Sequence, residues 1–140
     1  MCSRYDRRSV LAGGAAALAA GSLPAASASN RQGYFLAEAE RMRRQAVASG
    51  DQSYGAVLVL DDQIVGYGPS RVVVDRNPDA HAERVAIWAA QQAVGRNDLG
   101  GAVLYSTSRP CAECEAVAAQ ANVARMIHGI GADAGKPRTR

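Results

Sequence analysis

Apolar runs of strand length alternate with amphipathic, helix-length segments along most of this 140-residue chain. The predicted strands cover residues 54–60, 63–68, 101–107 and 123–130. The predicted helices cover residues 34–48, 80–94 and 111–121. The first two strands are separated only by Asp61-Asp62, which predicts a hairpin. The order predicts an α/β sandwich whose later strands run parallel.

The composition fits one small domain with an aliphatic core. The chain is 48% hydrophobic but only 5% aromatic, so Ala, Val, Leu and Ile must fill the interior. In the second predicted helix, Val85, Trp88, Ala89 and Gln92 follow helical spacing. This spacing predicts that Trp88 lies in the core.

The first 28 residues are typical of an export leader. Arg7-Arg8 precedes a mild, Ala- and Gly-rich apolar stretch, and Ala26-Ser27-Ala28 fits an A-x-A cleavage site. The arginine pair resembles a twin-arginine signal. We therefore expect residues 1–28 to be a signal peptide and the mature protein to be periplasmic or extracellular, with no stable membrane span. A helix of the domain and an uncleaved anchor are the alternatives.

Removal of the leader changes the charge and the cysteine count. Three arginines and one aspartate leave with it, which lowers the formal net charge from +3 to +1. That balance makes a nucleic-acid partner unlikely in terms of charge. Only Cys111 and Cys114 remain, in C-x-x-C spacing, so they form either a redox pair or part of a metal site.

Two motifs with reactive side chains stand at the starts of successive predicted helices. The first is His81-Ala82-Glu83, and the second runs from Pro110 to Cys114. In an α/β sheet such helix starts lie at the carboxyl ends of strands, where ligand sites gather. We therefore expect the two motifs to face one point.

One imidazole and two thiolates are donors that suit Zn²⁺. His81, Cys111 and Cys114 would leave a fourth position for water, as in catalytic rather than structural zinc sites. Zinc makes such a water acidic, and a carboxylate beside the metal can carry its proton. Glu83 fits that role.

The paired pattern H-x-E and P-C-x-x-C resembles the zinc-dependent cytidine deaminase superfamily. "YGAVLV", "NPDAHAERVAI" and "LYSTSRPCAEC" resemble its nucleobase and tRNA-adenosine deaminase branch, over about residues 34–130. The resemblance implies a three-layer α/β/α cytidine-deaminase-like sandwich with a mixed sheet. It also implies zinc held by His81, Cys111 and Cys114, Glu83 as proton shuttle, and hydrolytic release of ammonia from an amino-bearing ring.

The same resemblance suggests substrate contacts. The backbone around Ala82 and Pro110 would help to hold the base, and Ser70 stands where relatives place a base-contacting Asn. Arg109 precedes Pro110 where many relatives carry an acid. We expect a domain over 29–130 that is short at its C-terminus, followed by a flexible basic tail over 131–140.

The predicted function is deamination of a small amino-purine or amino-pyrimidine, as free base or nucleoside, by a chain that self-associates, as a dimer. Two alternatives are a non-catalytic zinc-binding domain on the same scaffold and a C-x-x-C thiol redox protein. The redox alternative leaves His81 and Glu83 without a role.

Overall fold

A computed structural model of the protein describes residues 27–139, so the predicted leader lies outside the described residues except for Ser27 and Ala28. The helices are α1 (Ala28–Ala48), α2 (Ala82–Val94) and α3 (Ala112–Gln120). The strands are β1 (Gly55–Leu60), β2 (Gln63–Pro69), β3 (Val103–Ser106), β4 (Arg125–His128) and β5 (Ala132–Gly135). No helix in this part of the chain is both long and apolar enough to cross a bilayer.

The five strands form one mixed sheet in the order β2-β1-β3-β4-β5. The β1–β2 hairpin and the β1–β3 pair are antiparallel, β3 and β4 are parallel, and β5 returns antiparallel to β4. The predicted α/β fold with a mixed sheet is therefore confirmed. The carboxyl ends of β2, β3 and β4 and the amino end of β1 share one edge.

The alternation of side chains along the strands creates a core on each face of the sheet. Val57 and Val59 point towards α1, whereas Ala56 and Leu58 point towards α2 and α3. The α1 face also contains Phe35, Ala39, Met42, Tyr105 and Ile127. The two faces together give the three layers that the resemblance implies.

Helix α1 begins earlier than the predicted start at Tyr34. Ser27 is its N-cap, and the Ser27 hydroxyl accepts a hydrogen bond from the backbone N–H of Asn30 at 3.3 Å. The helix ends at Ala48, and Gly50 follows with a positive φ of 81°. The buried side chains of α1 begin only at Phe35.

The prediction that Trp88 lies in the core is wrong, since its side chain is 36% exposed. The face of α2 that meets the sheet consists instead of small residues, Ala82, Ala86 and Ala90. They pack on glycines of β2: a Cβ on Gly68 would lie 2.1 Å from the Ala82 carbonyl oxygen. Such a close approach of backbones leaves no space for an indole between helix and sheet.

The prediction of a flexible tail over 131–140 is wrong for residues 132–135, which form β5. Asp133 accepts a hydrogen bond from Nε of Arg125 in β4, at 2.8 Å. Gly129 and Gly131 have positive φ values in the turn between the strands. The small, polar residues of β5 occupy an edge of the sheet, where a strand does not need an apolar pattern.

Candidate active site

The start of α2 places His81, Ala82 and Glu83 at the shared edge of the sheet. His81 is the N-cap residue in an extended conformation, and its carbonyl accepts the first helical hydrogen bond, from Val85 N–H at 2.9 Å. The imidazole makes no capping hydrogen bond. It is therefore available for a ligand, while Ala82 and Glu83 occupy the first turn.

The start of α3 brings two thiols to the same point. Cys111 is the N-cap of α3, and its Sγ accepts a hydrogen bond from Cys114 N–H at 3.4 Å. The two sulfur atoms lie 3.2 Å apart and do not form a disulfide. Nδ1 of His81 lies 3.6 Å from the Cys111 sulfur and 3.4 Å from the Cys114 sulfur.

This donor set fits a zinc ion. Tetrahedral Zn²⁺ with sulfur at about 2.3 Å and nitrogen at about 2.0 Å separates its ligand atoms by about 3.5–3.8 Å. The three observed separations, 3.2, 3.4 and 3.6 Å, are close to those values. His81, Cys111 and Cys114 are thus positioned to bind the metal that the sequence predicts.

Burial makes the Cys114 thiol a poor acid unless a cation is present. Desolvation raises the pKa of Cys114 to about 12, and the neighbouring Glu83 carboxylate adds to the increase. The Arg84 guanidinium opposes both effects through its contact with the sulfur. A bound zinc ion would add to this compensation, since zinc binds the thiolate form.

Arg84 supports the metal site from behind. Its guanidinium is buried, and it donates a hydrogen bond from one terminal nitrogen to Oδ1 of Asp79 at 2.9 Å. Its Nε has no hydrogen-bond partner within residues 27–139. A buried cation beside Cys114 suits a site in which that sulfur is negatively charged.

Glu83 is the buried acid of the site, with 5% of its surface exposed. Desolvation raises its pKa. Several weaker interactions favour the charged form: a hydrogen bond from its own backbone N–H, a hydrogen bond with Cys114, and the charges of His81 and Arg84. A carboxyl in this environment holds a proton more readily than a surface glutamate does. Glu83 can therefore exchange a proton with a group bound beside the three metal ligands.

A cavity of about 650 Å³ opens in front of these residues. It is lined by Gln52, Ser53 and Tyr54 before β1, by His81, Ala82 and Glu83, and by Ser108, Arg109 and Cys111 after β3. The volume lies within the range of about 300–1,000 Å³ that is typical of small-molecule sites. The metal ligands and the buried acid thus share one accessible cleft.

The wall before β1 is held by the carboxylate of Asp51. Its Oδ1 accepts hydrogen bonds from Gln52 N–H and from the Ser70 hydroxyl, both at 2.8 Å. Its Oδ2 accepts from the backbone N–H groups of Val73 and Val74, at 2.9 and 2.8 Å. Asp51 thereby connects the cavity wall to the loop that follows β2.

The structure brings together most of the residues that the sequence predicts for the site. His81, Ala82, Glu83 and Cys111 line the cavity, and Cys114 lies buried behind them. Pro110 is buried between the lining residues Arg109 and Cys111. Ser70 does not line the cavity: it is 1% exposed, and its hydroxyl donates to Asp51.

Sequence reasoning did not identify the polar wall of the cleft. Gln52, Ser53, Tyr54 and Ser108 belong to no motif, yet each precedes or follows a strand at the edge where the two motifs meet. That position next to a strand end was the one feature of the sequence that could have indicated a place in the cavity wall. Arg84 was missed as well, because helical spacing alone does not tell that a charged residue faces a metal site.

The sheet order and the donor set together define the deaminase class of zinc proteins. The family model for the cytidine and deoxycytidylate deaminase zinc-binding region matches residues 29–130. This chain belongs to that family.

Similar proteins within the family are named as tRNA-specific adenosine deaminases or as guanine deaminases. A tRNA-specific adenosine deaminase of Buchnera aphidicola (subsp. Schizaphis graminum) is 30% identical over 101 residues, which cover 72% of this chain and 67% of the relative. A guanine deaminase of Bacillus subtilis is 35% identical over 81 residues, or 57% of this chain and 52% of the relative. The chain thus spans about two thirds or less of these relatives.

A solved structure confirms the fold. It comes from work on A-to-I editing by tRNA:A34 deaminases at the wobble position of transfer RNA. It superposes with a TM-score of 0.67 at 33% identity and covers 69% of this chain and 70% of that one.

Proposed function

We propose that this protein is a zinc-dependent hydrolytic deaminase of a small amino-purine or amino-pyrimidine, as free base or nucleoside. The reaction replaces the ring C–NH₂ by C=O at the expense of one water molecule and releases ammonia. The observation that carries the proposal is the buried Glu83 carboxyl beside three metal donors at one end of an open cavity.

His81, Cys111 and Cys114 would hold the zinc, which supplies Lewis-acid activation of water. Glu83 carries the proton in this mechanism. Its carboxylate accepts one proton as water attacks the ring carbon and passes that proton to the adjacent ring nitrogen; it then carries the remaining proton of the new hydroxyl to the amine, which leaves as ammonia while the C=O forms. Burial raises the pKa of Glu83, which favours the protonated form that this step requires.

The cavity walls would position the ring. The backbone at Ala82 and Pro110 would border the base, and Tyr54, which lines the cavity, would offer an aromatic ring for stacking. Gln52, Ser53 and Ser108 provide hydrogen-bonding groups for the polar edge of a heterocycle. The named activities of the similar proteins, on adenosine in tRNA and on guanine, support placing amino-purines first among the substrates.

The test is ammonia release by the purified, zinc-loaded protein from adenine, guanine, cytosine and their nucleosides. We expect Glu83→Gln to retain zinc but to lower kcat by about 10²–10⁴-fold, the usual contribution of a positioned acid–base group. We expect Cys111→Ala to lose both zinc and activity.

Glu113→Gln is the matched control. Glu113 lies two residues after the ligand Cys111, just as Glu83 lies two residues after His81, but its side chain is exposed. The control should keep its activity within a few-fold of the parent. Zinc binding without ammonia release from any compound would instead support a non-catalytic zinc-binding domain, and reversible dithiol oxidation of the metal-free protein would support a redox role.

We also propose that the protein is exported by the twin-arginine route and self-associates, as a dimer. Export of a folded protein would allow zinc to be bound before the thiols meet an oxidising compartment. Exposed apolar side chains such as Val73, Val74 and Ile130 support self-association. Sedimentation at working concentration tests the dimer, and a monomer would contradict it.

A further inference from the structure

Arg109 is a cation in the cavity wall without a carboxylate partner. It is exposed and lies in the loop between β3 and α3, next to Ser108. Eight other arginines in the described region form ion pairs with Asp or Glu side chains. Arg109 forms none with any of residues 27–139, so its charge is available to a molecule that enters the cleft.

The surroundings of Arg109 suit an anion rather than a bare neutral ring. Gln52, Ser53 and Ser108 line the same cavity and offer hydrogen-bond donors. In the proposed function, the metal ligands and the buried Glu83 act on the amino-bearing ring. A substrate whose ring meets Glu83 can therefore extend a second, charged group towards the exposed wall.

We propose that Arg109 determines substrate specificity by binding an anionic oxygen group, a phosphate or a carboxylate, attached to the amino-bearing ring. This inference rests on the proposed deaminase function and shifts its preferred substrate from the neutral base or nucleoside to a derivative that carries an anionic group. The guanidinium donates paired, charge-assisted hydrogen bonds that phosphate and carboxylate accept equally well. The substrate would thus be an anionic derivative of the base rather than the free base.

The distribution of the other arginines favours a small anion over an RNA strand. A nucleic-acid site needs a basic stripe that follows several phosphates. Arg41 and Arg43 on α1 are instead engaged by Glu38 and Glu40 of the same helix. Arg109 is the arginine that lines the cavity, and one cation suits one anionic group.

The experiment compares charged and neutral members of matched pairs on the zinc-loaded protein. Two pairs are made for each of adenine, guanine and cytosine. In the phosphate pair the neutral member is the nucleoside and the charged member is its 5′-monophosphate. In the carboxylate pair the neutral member is the N-methylated base and the charged member is the corresponding N-acetic acid. The readouts are kcat/KM for ammonia release and, with Glu83→Gln, the Kd by titration calorimetry. The phosphate and carboxylate arms identify which anion is bound.

We expect the charged member to be preferred in at least one pair. Arg109→Gln should reduce kcat/KM for that member by roughly 10- to 100-fold, the usual effect of losing a charge-assisted hydrogen bond, and leave the neutral member within about twofold. The preference should also fall with added salt. Arg96→Gln is the control, since Arg96 lies beyond the far end of α2, about 20 Å from His81 at 1.5 Å per residue.

Equal kcat/KM and equal Kd for charged and neutral members would overturn the inference, whatever the rate of turnover. So would a preference that survives Arg109→Gln, or tight binding confined to RNA oligonucleotides. Failure of the deaminase proposal is separate: it would appear as absence of ammonia release from every compound, while the Kd measurements would still decide the role of Arg109.

Discussion

At the residue scale, Asp51 shows how a side chain outside every motif can shape a site. Four donors converge on one carboxylate: three backbone N–H groups and the Ser70 hydroxyl. Partial burial alone would raise the pKa of Asp51, but these hydrogen bonds outweigh it, so the pKa is lowered. The cavity wall therefore depends on a charged Asp51.

Asp51→Asn should destabilise the protein by about 1–3 kcal/mol at neutral pH, because an amide cannot accept from all four donors. A lowered pKa means that the stabilisation is complete above the ordinary aspartate value of about 3.9 and is lost as the pH falls through the folded value. The difference between parent and variant in the free energy of unfolding, measured in urea, should thus shrink in acid. Asp61→Asn, at an exposed turn, is the control. An equal loss in the free energy of unfolding in that variant would contradict the stabilising role of the Asp51 carboxylate.

The metal centre could be predicted from the sequence because two short motifs specify it almost alone. His81, Cys111 and Cys114 are each fixed at a helix start, and a helix start after a strand has a known place in an α/β sheet. Ser70 shows the limit of this reasoning. Its position in the chain suggested a substrate contact, but its hydroxyl donates to Asp51, a partner distant in sequence.

At the element scale, the position of α2 depends on two glycines in β2. A Cβ on Gly66 would lie 2.1 Å from the Ala86 carbonyl oxygen, and one on Gly68 would lie as close to that of Ala82. Ala82 stands between His81 and Glu83. The distance between helix and sheet therefore also sets the position of the metal ligand and the acid.

Gly68→Ala should push the start of α2 away from the sheet. We expect a loss of about 1–3 kcal/mol or more in the free energy of unfolding, as for other overpacked cores, together with weaker zinc binding. Gly33→Ala is the matched control, because a Cβ there meets no atom within 4 Å and Gly33 lies inside α1. That variant should gain up to about 1 kcal/mol from helix propensity and keep its zinc. Normal zinc affinity in Gly68→Ala would contradict the coupling of packing to the site.

The order of the elements was predictable, whereas their packing faces and the last strand were not. Periodicity located the helices, but the apolar stripe that contains Trp88 is not the buried face of α2, because the β2 glycines select for Ala82, Ala86 and Ala90, with Ile87 buried beside them. Strand β5 lacks an apolar alternation, and the side-chain hydrogen bond that joins it to β4 links Arg125 to Asp133, eight residues apart. Contacts of this kind are not visible in local patterns.

At the scale of the whole molecule, export is the prediction with the clearest test. Replacing Arg7 and Arg8 by Lys keeps the charge but removes the pair that the twin-arginine route requires. We expect the variant to accumulate inside the cell, with the parent recovered outside the inner membrane; fractionation followed by immunoblotting measures both. Arg4→Lys is the control and should be exported normally. Unchanged export of the double variant would reject the route.

The cap of α1 has a consequence for maturation. The expected scissile bond after Ala28 lies within the first turn of α1, and cutting there would remove Ser27, the residue that caps the helix. A protease binds its substrate as an extended strand, so this turn must fray before it can be cut. The fraying is inexpensive, since residues 28–30 are exposed and the buried face of α1 starts at Phe35. Processing would thus remove one exposed turn, at a cost of about 1 kcal/mol for the lost cap, and leave α2 and α3, which carry the metal donors, untouched.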